Sequence, residues 1–372
     1  MKSTLQIGND EKFNASLFFF VIAAAQVGVG IHGFQRVVVK DAGHDAWISV
    51  ILAALFSHIV VFFMIKTLEL YPSNDLYGIH LDIFGKFIGS IVNIIYVLYC
   101  TFAFYSVIKN YIEVINTWVF PDLSQSFITT VLLILVIYAF TGGLRVMLGV
   151  CFFSFMTGLW ILIVVYMPLK YAHYNHLLPL FGHDITSIFK GAYSMTFTIV
   201  GFEVINTLYP YAKEKNKVQK YVHLALLCTL FIYLSVILVS LVYFSEAQLE
   251  RTLWATLTLF TVIKLPFIER IEIIIICFWT IIILPNLCLF AWSAYRGVKR
   301  FKNVKGTTFI WLFSILMFIA NIPMQSRTQI DDINNFFAQI AFVIVFLYPI
   351  LLYIMASLKN VLRKGGRKNE KG

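Results

Sequence analysis

Residues 13–34 read FNASLFFFVIAAAQVGVGIHGF. About 20 mostly apolar residues are enough for a helix to cross the hydrocarbon core of a bilayer, and this stretch has that length and character. Past its midpoint, however, it carries Gln26, His32 and three glycines, Gly28, Gly30 and Gly33. Lipid offers no partners to bared amides and carbonyls, so a break here is tolerated only where the backbone lines a cavity or packs on protein. The competing reading is close packing of unbroken helices through small residues.

A second stretch has the same character. Thr196-Phe197-Thr198-Ile199-Val200-Gly201-Phe202-Glu203 places a glycine and a carboxylate at similar depth in a later apolar run. Interrupted segments at matching positions of two halves point to a binding site between them. Amides at the start of a half-helix attract a carboxylate, and freed carbonyls attract an ammonium. Together they suit an amino-acid zwitterion. Glu203 is the sharpest single residue, because a carboxylate inside a span costs about 2.5–3.5 kcal/mol on insertion scales. It is read as a partner for a ligand amine or a proton, or as a tie between the two breaks.

The rest of the chain fits a membrane bundle. Hydrophobic residues make up 60% of the 372 positions and charged residues 13%, against about 25% charged in soluble domains. Spanning segments are expected near 13–34, 45–65, 84–108, 126–141, 146–168, 187–210, 219–244, 267–296, 307–323 and 333–358. The apolar run 247–263 is expected to lie as a helix over the outer mouth. The net charge of +10 sits in clusters between apolar runs, such as Lys213, Lys215, Lys217 and Lys220, or Arg296, Lys299 and Arg300. With both termini in the cytoplasm, these clusters, Lys2 and the tail basics through Lys371 all fall inside, as the positive-inside rule requires. That placement excludes a nucleic-acid footprint. The chain is thus an all-α integral membrane protein of about ten helices. Residues 1–358 form one transmembrane domain, repeat one covering 13–168 and repeat two 187–358, with 359–372 as a basic cytoplasmic tail.

Other residues add detail. Asn93, Tyr96 and Cys100 make one stripe on the third span, and Pro285-Asn286 kinks the eighth. Lys109 and Glu113 are expected to pair at i, i+4. Glu269 and Glu272, after Pro266, mark the start of a helix. The five cysteines lie in apolar runs and are expected to act as small buried hydrophobes, with no disulfide. His173, His176 and His183 are too loosely spaced for a metal site and read as a solvated loop. No motif for a nucleophile elbow, phosphate loop or zinc protease occurs, so no catalysis, cofactor or metal is expected.

The breaks at Gly28-Val29-Gly30-Ile31 and Gly201-Phe202-Glu203 resemble those of the amino acid–polyamine–organocation transporter superfamily. That resemblance implies a five-plus-five inverted repeat, LeuT-like, with helices 1 and 6 broken and a site between helices 1, 3, 6 and 8. More narrowly, Ala42-Gly43-His44-Asp45-Ala46-Trp47-Ile48-Ser49, Gly85-Lys86, Gly143-Leu144-Arg145, Tyr209-Pro210 and Glu269-Arg270-Ile271-Glu272 with Trp279 resemble the spore germination receptor B-subunit family. The resemblance implies a nutrient sensor in the inner membrane of a bacterial spore, working with A and C subunits. It implies a ligand pocket of Gly28, Gly30, Ile31, Tyr96, Cys100, Ile199, Val200, Gly201 and Asn286, with Phe202 as gate. The span-five lysine of some proton-coupled relatives is missing from 146–168, which leans toward sensing over pumping. A secondary amino-acid transporter and a ligand-gated channel remain the alternatives.

Overall fold

The computed structural model describes residues 7–322 and 326–369; Lys2 and Lys371, assigned above to the cytoplasm, lie outside them. The first apolar run forms α1 (Leu17–Gln26) and α2 (Phe34–Ala42), joined by a non-α stretch. Then come α3 (Ala46–Leu70), α4 (Leu76–Trp118), α5 (Gln125–Thr141) and α6 (Gly143–Val165). The second interrupted run comprises α7 (Ile185–Ser194), α8 (Thr196–Ile199) and α9 (Ile205–Leu208). It leads to α10 (Lys215–Tyr243), two short helices α11 (Glu246–Arg251) and α12 (Ala255–Thr261), and α13 (Ile271–Phe301). The chain ends with α14 (Gly306–Asn321), α15 (Arg327–Ala341), a π-helical turn Phe342–Leu347, and α16 (Tyr348–Asn369).

Among the described residues six helical segments are long and apolar enough to cross a membrane: Phe34–Leu70, Leu76–Trp118, Gly143–Tyr171, Lys215–Tyr243, Ile271–Phe301 and Arg327–Arg363. Shorter apolar helices are α1, α5 and α14. The periphery is greasy. Leu98, Ile134, Ile163, Phe231, Leu312 and Leu351 are all exposed, a surface that hydrocarbon satisfies and water does not. Polar side chains are inside instead, with Gln26, Asn93, Glu203 and Asn286 all buried. Two long helices organise the interior: α13 packs along α4 and α6, and α10 packs along α1 and α3.

The connections gather at two ends. At the end holding the N-terminus, Phe13 N–H donates to Tyr211 O (3.0 Å) and Lys213 N–H to Phe13 O (2.9 Å). Asp75, fully buried, caps α4 by accepting from Gly78 N–H (3.1 Å) and pairs with Arg300 (2.6 Å) and Arg296 (3.5 Å). Asp82 pairs there with Arg363 (2.8 Å) and Lys359 (3.6 Å). At the opposite end Asp45 meets His183, His44 meets Glu246, and Arg327 reaches Glu113.

Several expectations change. The run 247–263 is not one helix, because Thr252 ends α11 in an extended conformation before α12 begins. The eighth segment starts at Ile271 rather than 267, with Glu272 held by Arg270 (2.8 Å). α16 carries past residue 358 to Asn369, with Arg363 paired to Asp82 (2.8 Å). Lys109 and Glu113 part company: Lys109 donates to Asn321 O (3.1 Å), while Glu113 takes Arg327 (2.6 Å). Cys277 faces outward, unlike buried Cys100, Cys151 and Cys288.

Removing one partner of a buried ion pair costs about 3–5 kcal/mol, because the remaining charges stay desolvated. Asp75→Asn should therefore lower the stability of the purified protein by about 3 kcal/mol or more, read as a shifted unfolding midpoint in detergent. An unchanged midpoint would show that the Asp75–Arg296–Arg300 cluster does not hold that end together.

Candidate ligand site at the two helix breaks

α1 ends at Gln26. Val27 and Gly28 then run extended (Gly28 φ −119°, ψ −156°), and Val29–His32 make one 3₁₀ turn before α2. The second break follows the same plan. α8 stops at Ile199, Val200 is extended, and Gly201 takes φ +121° before a 3₁₀ turn at Phe202–Val204. That φ is open to glycine and costly for any L side chain.

The two breaks lie against each other. A Cβ on Gly201 would overlap Ala25 O, and one on Gly30 would come within 2.9 Å of Thr198 Oγ1. Buried side chains take up the carbonyls that the breaks release. Gln26 Nε2 donates to Ile199 O (2.7 Å), while Gln26 Oε1 accepts from Thr229 Oγ1 (2.7 Å). Tyr233 OH lies within reach of both Gln26 O (2.9 Å) and Thr198 O (3.2 Å). From α13, Asn286 Nδ2 donates to Ala24 O (2.7 Å) and reaches Val27 O (3.4 Å). Pro285, one residue earlier, sits inside that helix.

Glu203 has a local role. Its Oε2 accepts from Gly201 N–H (2.7 Å) and its Oε1 from Tyr99 OH (2.6 Å), while Tyr96 OH donates to Glu203 O (3.3 Å). The carboxylate thus binds its own break and α4, not the first break.

A narrow cavity of about 30 Å³ sits where the breaks meet α4, α13 and α15. Gln26, Gly28, Gly30, Thr198, Val200 and Asn286 supply its backbone and polar side, with Ser106 across from them on α4. Phe197, Phe290 and Phe337 form an aromatic wall, and Ala103 and Val107 complete it.

Of the residues singled out from sequence, Gly28, Gly30, Val200 and Asn286 come together here. Ile31 instead lines a larger apolar cavity on the far side of α1, with Phe155, Trp279 and Ile282. Tyr96 and Cys100 lie buried on α4 outside the cavity lining, and the Ile199 carbonyl is occupied by Gln26. Gly201 is the contact point with α1, and Phe202 packs edge-on against Phe346 (5.7 Å) in the π-helical turn. Asn93 accepts from His80 Nδ1 (2.7 Å) and donates to Tyr77 O (3.1 Å), bracing the bend of α4 at Gly85. Ser106, Phe197, Phe290 and Phe337 line the cavity without a sequence pattern that marks them. Ala103 and Val107 continue the stripe of Tyr96 and Cys100 along the same helix, which was the available signal for α4.

Residues 12–329 match the sequence family described as spore germination protein. The chain is 33% identical over 359 residues to spore germination protein GerQB of Bacillus cereus, covering 96% of this chain and 99% of that protein. It belongs to the spore germination protein family. Spore germination protein A2 of Bacillus subtilis is 23% identical, with 94% of this chain and 96% of that protein aligned. Among solved structures, that of MhsT in complex with L-phenylalanine superposes with a TM-score of 0.62 at 14% identity. It covers 92% of this chain and 88% of that one. This member of the germination family therefore has the LeuT-like transporter fold that its sequence suggested, as a multi-pass membrane protein.

Gly201→Ala combines the strain of a forbidden φ, about 1–3 kcal/mol, with overlap on Ala25 O. We expect it to lower the melting temperature sharply, where Gly143→Ala, with φ +81° but nothing within 4 Å of its Cβ, loses only the strain. Equal losses in the two variants would rule out tight apposition of the breaks.

Proposed function

We propose that this protein is the nutrient-sensing subunit of a spore germinant receptor, and that it binds an amino acid in the cavity between the breaks. The observation that carries the reading is the meeting, in one cavity, of two interrupted helices with a polar backbone side and an aromatic wall. Amides at the start of the Val29–His32 turn have no intrahelical partners and would receive the ligand carboxylate. The ligand ammonium would turn to carbonyls around Val200 and to the hydroxyls of Ser106 and Thr198. A wall of Ala103, Val107, Phe197, Phe290 and Phe337 suits a small apolar side chain, and the breaks would have to part to admit the whole ligand. The L-phenylalanine in the MhsT structure supports the class of ligand.

Gly28, Gly30, Val200 and Asn286 would contact ligand. Ile31, Tyr96, Cys100, Ile199 and Gly201 would hold the breaks from behind, and Glu203 would fix the second break's own backbone. Phe202, seated on Phe346, would act as the gate by passing movement of the break to α15 and α16. On this reading the chain crosses the spore inner membrane ten times in two inverted repeats, with both termini cytoplasmic. A and C subunits would read the shift between open and occluded states. A ligand moves that equilibrium only by its differential affinity for the two states. No step of this scheme requires an enzyme or a cofactor. The transporter fold favours a second reading, carriage of the amino acid across the membrane.

A Cβ on Gly28 would sit 3.4 Å from Asn286 Oδ1, an ordinary contact between two residues that line the cavity. Gly28→Ala should melt within about 1 kcal/mol of the native protein. Screened against amino acids, the native chain should gain about 2.7 kcal/mol from a ligand at a hundred times its Kd, and Gly28→Ala should gain none. Failure of every amino acid to stabilise the native chain would overturn the ligand assignment. Uptake into liposomes decides between the readings: gradient-driven accumulation of the stabilising amino acid would replace sensing with transport.

A further inference from the structure

At the end of the bundle opposite the termini, two histidine–carboxylate pairs face each other. His44 Nδ1 lies 2.9 Å from Glu246 Oε2, and His183 Nδ1 lies 3.3 Å from Asp45 Oδ2. Asp45 is fully buried and is fixed by accepting from Phe181 N–H (2.9 Å) and His183 N–H (3.0 Å). The imidazole rings are 4.7 Å apart, at 67° to one another. One ligand atom from each of His44, Asp45 and His183 falls within 4.8 Å of the others. His44 Nε2 is buried and has no hydrogen-bond partner. Both Nε2 atoms border glycines. A Cβ on Gly182 would stand 3.1 Å from that of His44, and a Cβ on Gly43 would overlap that of His183.

We propose that His44, His183 and Asp45 bind a divalent transition-metal ion of the zinc class, with Glu246 as a positioning residue. A metal-ligating histidine characteristically engages a carboxylate through its other ring nitrogen, which sets the tautomer and the ring orientation. The pairing of His44 with Glu246 provides that arrangement. Two imidazoles with one carboxylate, and a further position open, form a ligand set suited to zinc and its neighbours rather than to calcium or magnesium. Tetrahedral bonds of about 2.1 Å place ligand atoms about 3.4 Å apart, so atoms that now lie within 4.8 Å of one another would draw together on the ion. The ion joins three segments. His44 and Asp45 follow α2, His183 precedes α7, and Glu246 opens α11. It therefore pins the far ends of both interrupted runs to one point. The site stands apart from the ligand cavity, and neither reading depends on the other.

The test uses the full chain in detergent, stripped with chelator and titrated with zinc by calorimetry and with cobalt(II) by visible absorption. The native protein should take up one ion per chain, show a tetrahedral cobalt band and melt at a higher temperature with zinc than without. His183→Asn and His44→Asn should each lose saturable binding, Glu246→Gln should bind about ten- to a hundredfold more weakly, and a His173→Asn/His176→Asn double variant should bind like the native chain. Melting without metal shows which variants are folded. His44, whose carboxylate partner is partly exposed, provides the arm least prone to misfolding. Absence of saturable binding by the native chain would overturn the proposal, as would native affinity in folded His44→Asn.

Discussion

An amide or carbonyl laid bare inside a bilayer has to find a partner within the protein, since the solvent there has none to give. Both interrupted helices of this chain release such groups, and the centre of the bundle is arranged around receiving them. Gln26 crosses to Ile199 O, Asn286 comes from α13 to Ala24 O and Val27 O, Tyr233 comes from α10, and Glu203 folds back on Gly201 N–H. Each of these side chains is costly to bury alone and inexpensive to bury once bonded. The polar residues in the core are therefore the counterpart of the breaks, not exceptions to an apolar rule.

This arrangement also explains why glycine and an aromatic wall occur together at the site. Two backbones can approach closely only where a Cβ is missing, at Gly30 and Gly201. Their approach leaves the neighbouring side chains to enclose the remaining space. Large rings on α8, α13 and α15 fill most of it without adding a polar group that would itself need a partner. What remains is a compact cavity with dipoles on one side and hydrocarbon on the other.

Much of this was legible in the sequence. The lengths of the apolar runs and the glycines in two of them were enough for a membrane bundle with two interrupted helices, the LeuT-like arrangement came with the family resemblance, and Asn286 was recognisable from its proline neighbour. The role of Glu203 was half legible: its cost showed that it must be bonded, but a sequence does not reveal that its partners are Gly201 N–H and Tyr99. Ile31, placed in the pocket by the resemblance, lies in the 3₁₀ turn and lines the apolar cavity across α1. The histidines near 173–183 looked too scattered for a cluster, since the partners of His183 stand far away in sequence, at His44 and Asp45. Contacts of that range leave no local pattern to read.

The two ends of the bundle are fastened differently. Near the termini, Asp75 with Arg296 and Arg300 is sealed from water, and parting such charges is expensive. At the other end His44–Glu246 and Arg327–Glu113 are partly wetted, where a pair contributes only about 0–1 kcal/mol, and buried Asp45 has a partly exposed partner in His183. With no ion bound at His44, Asp45 and His183, thermal motion should splay that end first, with the sealed end as pivot. The bundle resembles a book bound along one edge, and anything reaching the central cavity would come in between the loose pages.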